Sequence, residues 1–187
     1  KTKLATEVIR RRSAIDRSAR VLISAQGHDA LDNLQKKVRE TLQENGMNDV
    51  LLVRSTTPEN RPTNDDEVQR MQTGYLRRLA GSSMAKTAPV ALKAKAEALQ
   101  KAAALANKDR DRVDREDRAG LSALSQLILD GANIVVSTAN SGDVERLVEA
   151  REQFDWVIVE EAAKLTGPEL VGPLILSGRY LLIGDHH

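Results

Sequence analysis

Two apolar runs near the end of the chain terminate in acid. Trp156-Val157-Ile158-Val159 leads straight into Glu160-Glu161, and Tyr180-Leu181-Leu182-Ile183 leads into Gly184-Asp185. Strands buried on both faces of a parallel sheet read as unbroken apolar runs, and ligands bind outside the carboxyl ends of such strands. Two strands of this kind deliver three carboxylates to one sheet edge, where a metal-bound phosphate fits.

The preceding residues repeat the alternation of helix and strand that such a sheet needs. Leu4, Val8 and Ile9 space a helix from Lys3 to Arg12, and Arg20 to Ser24 reads as a short buried strand. Asp29 to Glu44 is amphipathic, with Leu31, Leu34, Val38 and Leu42 turned inward and Asn45-Gly46 as its stop. Val50 to Arg54 is the next strand. Residues 56–130 break the pattern. A polar loop with Pro58 and Pro62 precedes a helix from Asp65 to Ala80, and a long helix is expected from Pro89 to about Arg115. The mixed-charge run Lys108 to Arg118 reads as the solvated face of that helix. Few large apolar side chains lie between 85 and 118, so a helical hairpin projecting from the sheet is favoured over a layer covering it. The sheet resumes at Ala132 to Ser137, followed by a helix from Gly142 to Ala150 and another around Pro168 to Leu176. The expected division is therefore an α/β core of 1–55 with 131–187, and an insertion of 56–130.

Composition removes several function classes. The 187 residues contain no cysteine, which excludes disulfides, zinc–thiolate sites and thiol nucleophiles. No apolar run approaches the roughly 18 residues of a membrane span, and no secretory leader opens the sequence, so a cytoplasmic, nucleoid or nuclear setting is expected. Lys1 is not an initiator methionine, so the chain reads as an excised fragment. Aromatic residues make up only 2%, so any grip on nucleic acid has to use backbone amides, hydroxyls and basic groups rather than base stacking.

Nucleoside triphosphate hydrolysis needs a phosphate cradle, a Mg²⁺ held by a hydroxyl and a carboxylate, and a group that orients the attacking water. Glu160, first beyond its strand, has the position of a Mg²⁺ ligand, and Glu161 that of the water-polarising base. Two acids beginning a helix after a strand would also simply suit a helix N-terminus. Small residues follow, and Ala162 and Ala163 permit close approach of the next element. His186 and His187 have no second ligand set beside them, so no zinc is expected.

The motifs together resemble superfamily 1 helicases, in the branch of the nonsense-mediated-decay RNA helicase and senataxin. That family's motif II, Asp-Glu-Ala-x-Gln, is matched by Glu160-Glu161-Ala162-Ala163-Lys164, and the Gly-Asp of its motif III by Gly184-Asp185. Ser24 to Leu34 is similar to motif Ia, and Ile134 to Asn140 to the next motif, which touches the nucleic-acid backbone. Lys1-Thr2 running into a helix matches the end of a Walker A loop. Two positions depart from the pattern. Glu160 is one methylene longer than the usual Asp, and Lys164 replaces Gln, where it can meet phosphate, meet a neighbouring acid, or lie on the surface.

The resemblance implies a RecA-like parallel sheet of the P-loop NTPase class with an α-helical hairpin insertion. It implies ATP and Mg²⁺ as cofactors, with Lys1 on the β- and γ-phosphates, Thr2 and Glu160 on the metal, Asp185 beside the nucleotide and Glu161 as catalytic base. Ser24, Gln26, Gly27, His28 and Thr138 would grip single-stranded DNA or RNA from two loops, with Asp32 and Asn33 bracing the first. The implied activity is ATP-dependent translocation, 5′ to 3′, completed by a second RecA-like domain of the same polypeptide. Residues 1–187 alone are expected to be inert. The insertion would separate strands or bind a protein partner. A nucleotide-gated loader and a non-catalytic scaffold derived from a helicase are the alternatives.

Overall fold

A computed structural model describes residues 2–55, 67–106, 112–139 and 142–184, and for Glu67, Gln69 and Asp143 the backbone alone. Lys1 and Asp185, both expected at the nucleotide, lie outside the described residues, as do the loop prolines Pro58 and Pro62 and the terminal His186 and His187. The chain divides into two compact units, Lys1–Arg61 with Gly131–His187, and Pro62–Asp130.

The first unit is a parallel five-stranded sheet flanked by helices, the RecA-like P-loop NTPase arrangement. Its elements are α1 (Thr2–Ile15), β1 (Val21–Ala25), α2 (His28–Glu44), β2 (Leu52–Arg54), β3 (Ile134–Thr138), α7 (Gly142–Glu149), β4 (Trp156–Glu160), α8 (Gly167–Leu174) and β5 (Tyr180–Ile183), the helices α3 to α6 belonging to the second unit. Strand order is β2-β3-β1-β4-β5, with every pairing parallel. All five residues of β1 and of β3 are buried, as unbroken apolar runs require.

The core on one face forms where α1 and α2 lay their apolar stripes on the sheet. Ala5 and Ile9 from α1, and Leu31, Leu34, Val38 and Leu42 from α2, cover Val21, Ile23, Ile134, Val136 and Ile158. α2 closes at Asn45, whose side-chain amide donates to the Thr41 carbonyl at 2.8 Å, and Gly46 then takes a left-handed φ of 67°. The Arg10-Arg11-Arg12 run is paired: Arg10 and Arg11 bind Glu7 in the same helix, and Arg12 binds Asp16 just beyond it and lies 4.0 Å from Asp155. Hydrogen bonds from those two guanidiniums hold the Glu7 carboxyl down at about 2.

Arg20 fastens the amino edge of the sheet. Its guanidinium meets Glu152 at 2.6 Å, donates to the carbonyls of Ala132 and Gln153, and lies 4.7 Å over the Phe154 ring. Glu152 is only 12% exposed, so removing the cation strands a buried carboxylate. Arg20→Ala is expected to cost about 2–3 kcal/mol of stability, somewhat below the fully buried case because Arg20 itself is partly exposed. Urea unfolding monitored by circular dichroism reads this loss directly, and an unchanged midpoint would refute it.

The second unit contains α3 (Glu67–Gly81), α4 (Ser83–Thr87), α5 (Val90–Ala106) and α6 (Arg115–Asp130). It is not a hairpin. Three long helices close a core of Leu76, Ala102, Ala103, Val113 and Leu121, and Gln72 crosses from α3 to the Leu121 carbonyl of α6 at 2.7 Å. The single helix expected from 89 to 115 is not continuous: α5 is described to Ala106, and residues 112–114 are not α-helical. α6 starts afresh because Asp114 caps it: its carboxylate accepts the Asp117 N–H at 2.8 Å and is held below its usual range by that bond. Charge periodicity masked this start, since an acid in a charged run serves equally as a helix face or a cap. Among the described residues no helix is long and apolar enough to cross a membrane.

Candidate nucleotide and nucleic-acid site

The strand order places a reversal between β1 and β4. From β1 the chain moves outward to β2, and from β4 it moves outward in the opposite direction to β5. Beyond the carboxyl ends of two such strands lies the crevice where open α/β sheets bind ligands. Glu160 and Glu161 leave β4 there, and Ala25 to His28 leave β1.

Thr2 enters the same crevice from the first turn of α1. Its hydroxyl donates to Glu160 Oε1 at 2.7 Å, joining residues 158 positions apart in sequence. Glu160 is 6% exposed, and the only hydrogen-bonding partner of its carboxylate among the described residues is this neutral hydroxyl. A buried carboxylate calls for a cation or a full set of donors. One hydroxyl and one carboxylate are hard oxygen donors of the kind Mg²⁺ takes, the rest of its shell being water and phosphate. The donor set therefore fits Mg²⁺. Among the described residues there is no group of three or more acids and histidines able to hold a metal by themselves.

Glu161 sits at φ 57°, ψ 32°, a left-handed conformation that few non-glycine residues adopt. Such strain costs on the order of 1–3 kcal/mol and gathers at functional sites. It breaks the strand sharply and starts the tight turn Ala162–Lys164. Lys164 reaches back to Glu161 Oε1 at 2.7 Å, the neighbouring acid of its three expected roles, and is 60% exposed. At Gly184 the need for glycine is spatial and not conformational. Its φ is not left-handed, but a Cβ there would lie 3.0 Å from the Ala163 amide nitrogen and 3.2 Å from Ala163 Cβ. Small residues on both elements let β5 and the acid-bearing turn approach.

The expected nucleic-acid residues separate into two groups. Ser24 and Thr138 are not on loops: Ser24 is inside β1, fully buried, and Thr138 ends β3 at 6% exposure. The strands run further than expected because β1 and β3 stay paired to Ala25 and Thr138, and the Ala139 N–H still bonds the Ala25 carbonyl at 2.9 Å. Gln26 and His28 are exposed where the chain leaves β1, and Gly27 precedes α2. A Cβ at Gly27 would meet nothing within 4 Å, so the protein itself does not demand glycine there. Arg54, unmarked in the sequence, ends β2 and binds both His28 and Asp32. Its only sequence signal is a base closing an apolar strand.

Known proteins are similar to this chain over part of its length. Over 66 residues, 35% of this chain, the sequence is 39% identical to the DNA replication ATP-dependent helicase/nuclease DNA2 of Xenopus laevis, and over 52 residues, 28% of the chain, 42% identical to that of Gallus gallus. The Homo sapiens protein is 36% identical over 58 residues, 31% of the chain. The matches span 5–6% of the length of these relatives. The family model described as the AAA domain matches residues 1–187, and the chain belongs to that family.

Proposed function

We propose that this chain is part of the first motor domain of an ATP-driven helicase or translocase acting on single-stranded nucleic acid. The observation that carries the reading is the bond between Thr2 and Glu160 at the sheet's ligand crevice. The kinship with DNA replication ATP-dependent helicase/nuclease DNA2 supports it, as do the four helicase-like motifs in order. The finer assignment, to the senataxin-like branch with 5′ to 3′ movement, rests on the resemblance of those motifs.

In this reading Thr2 and Glu160 hold Mg²⁺, and Lys1 and Asp185 serve the nucleotide. Bound Mg²⁺–ATP supplies the transferable phosphoryl group and the positive charge beside it. Glu161 orients a water and takes its proton, with Lys164 holding the carboxylate in place until nucleotide arrives. Gln26 and His28 meet the sugar–phosphate backbone, which suits a motor that must not read sequence. A second RecA-like domain and a partner of the helical unit complete the machine.

The test is ATP hydrolysis by the native full-length protein with and without single-stranded DNA or RNA. Stimulation by one polymer identifies the track. A rate indifferent to both would remove the motor reading.

A further inference from the structure

Arg54 leaves the end of β2, with β3 lying between it and β1. Its side chain is nevertheless directed to the start of α2. One guanidinium nitrogen, Nη2, lies 2.8 Å from His28 Nδ1, and the other, Nη1, is ion-paired with Asp32 Oδ1. Arg54 is only 13% exposed, against 60% for Asp32, and His28 is exposed. The cation is thus committed to the first turns of α2 and is itself little exposed to solvent.

A guanidinium has five donors and no acceptor. The nitrogen facing it, Nδ1, must therefore accept, which requires a neutral imidazole whose proton is on Nε2. A proton on Nδ1 would set two donors face to face. His28 is left with one outward N–H in a fixed ring orientation, beside the exposed Gln26.

We infer that Arg54 is a positioning residue: it locks His28 as a neutral Nε2–H donor aimed at the backbone of a single-stranded nucleic acid, while Asp32 holds Arg54 in register. The inference rests on the proposed function of the β1 loop. It assigns no phosphate contact to Arg54, although an arginine at a sheet edge would ordinarily be credited with one.

The first arm of the test needs no variant. Nitrogen-15 spectra of the histidine-labelled 187-residue chain at pH 7.5, with His28 assigned by its Gln variant, should show the Nε2–H tautomer. A dominant Nδ1–H form or an imidazolium overturns the inference. In Arg54→Gln, with folding checked by circular dichroism, the tautomer should become mixed, and an unchanged tautomer also overturns it.

The second arm uses the native full-length protein. Arg54→Gln should raise the polymer concentration giving half-maximal ATPase about tenfold, the size of one hydrogen bond to a charged group, with the saturated rate unchanged. On a His28→Ala background the same substitution should add nothing, whereas a full additional tenfold would show that Arg54 touches the polymer itself and would overturn the positioning role. If the wild-type ATPase ignores polymer, the motor reading and the donor's target both fall, while the tautomer still decides whether Arg54 sets His28.

Discussion

Glu161→Gln is expected to lower polymer-stimulated ATP hydrolysis about 10²- to 10³-fold, within the range a positioned general base contributes. Nucleotide affinity should stay within about twofold, because the lost interaction is one made to the attacking water and not to the bound ground state. The substitution keeps the shape of the side chain, so the left-handed backbone at φ 57° and the turn after it have no reason to change. It does remove the ion pair with Lys164. That pair is 60% exposed at Lys164 and 31% at Glu161, and pairs so placed contribute about 0–1 kcal/mol, so the fold should not notice. Steady-state ATPase with saturating polymer, beside equilibrium binding of a fluorescent nucleotide, separates the two quantities. Retention of activity to within a few-fold would leave the acid-tipped strands as architecture, and the scaffold reading would then replace the motor.

How far the sequence reveals this molecule depends on the physical signal each part carries. Buried parallel strands announce themselves because both faces are apolar, and Trp156 to Val159 and Ile134 to Ser137 were readable for that reason. The inward positions of α2 follow from 3.6-residue periodicity alone. Strand ends were less legible. Thr138 is polar and resembles a loop residue, yet the pairing of β1 with β3 extends to Ala25 and Thr138, and that pairing is not written locally. The α6 start was lost because Asp114 is one acid among many. The Thr2–Glu160 bond joins distant segments, so only a known family pattern could suggest it. Arg54 had no such pattern behind it, and its partners across β3 are set by the path of α2.

Glu160→Gln is expected to abolish most of the dependence of ATP binding on Mg²⁺. Glutamine can still accept the Thr2 hydroxyl bond of 2.7 Å, so the side chain should stay where it is. What disappears is the negative charge, and its loss acts with opposite sign on the two forms of the ligand. Mg²⁺–ATP loses a carboxylate that the metal would favour, directly or through water, and its affinity should fall about 10- to 100-fold, as for other residues that support a metal. Metal-free ATP loses a like charge beside its phosphates, so its affinity should hold or rise. The free protein gains as well. A carboxylate at 6% exposure whose hydrogen-bonding partner among the described residues is neutral is costly to bury, so the melting temperature without nucleotide should increase. Thr2→Val, which removes the hydroxyl at constant shape, should weaken Mg²⁺–ATP in the same direction without that gain, because it strips Glu160 of its hydrogen bond. Titration calorimetry of ATP in Mg²⁺ and in chelator, with thermal melts of the free protein, reads all of these quantities. A Mg²⁺ dependence that survives Glu160→Gln would move the metal away from this corner. A fall in melting temperature would mean that the Glu160 charge already stabilises the nucleotide-free fold.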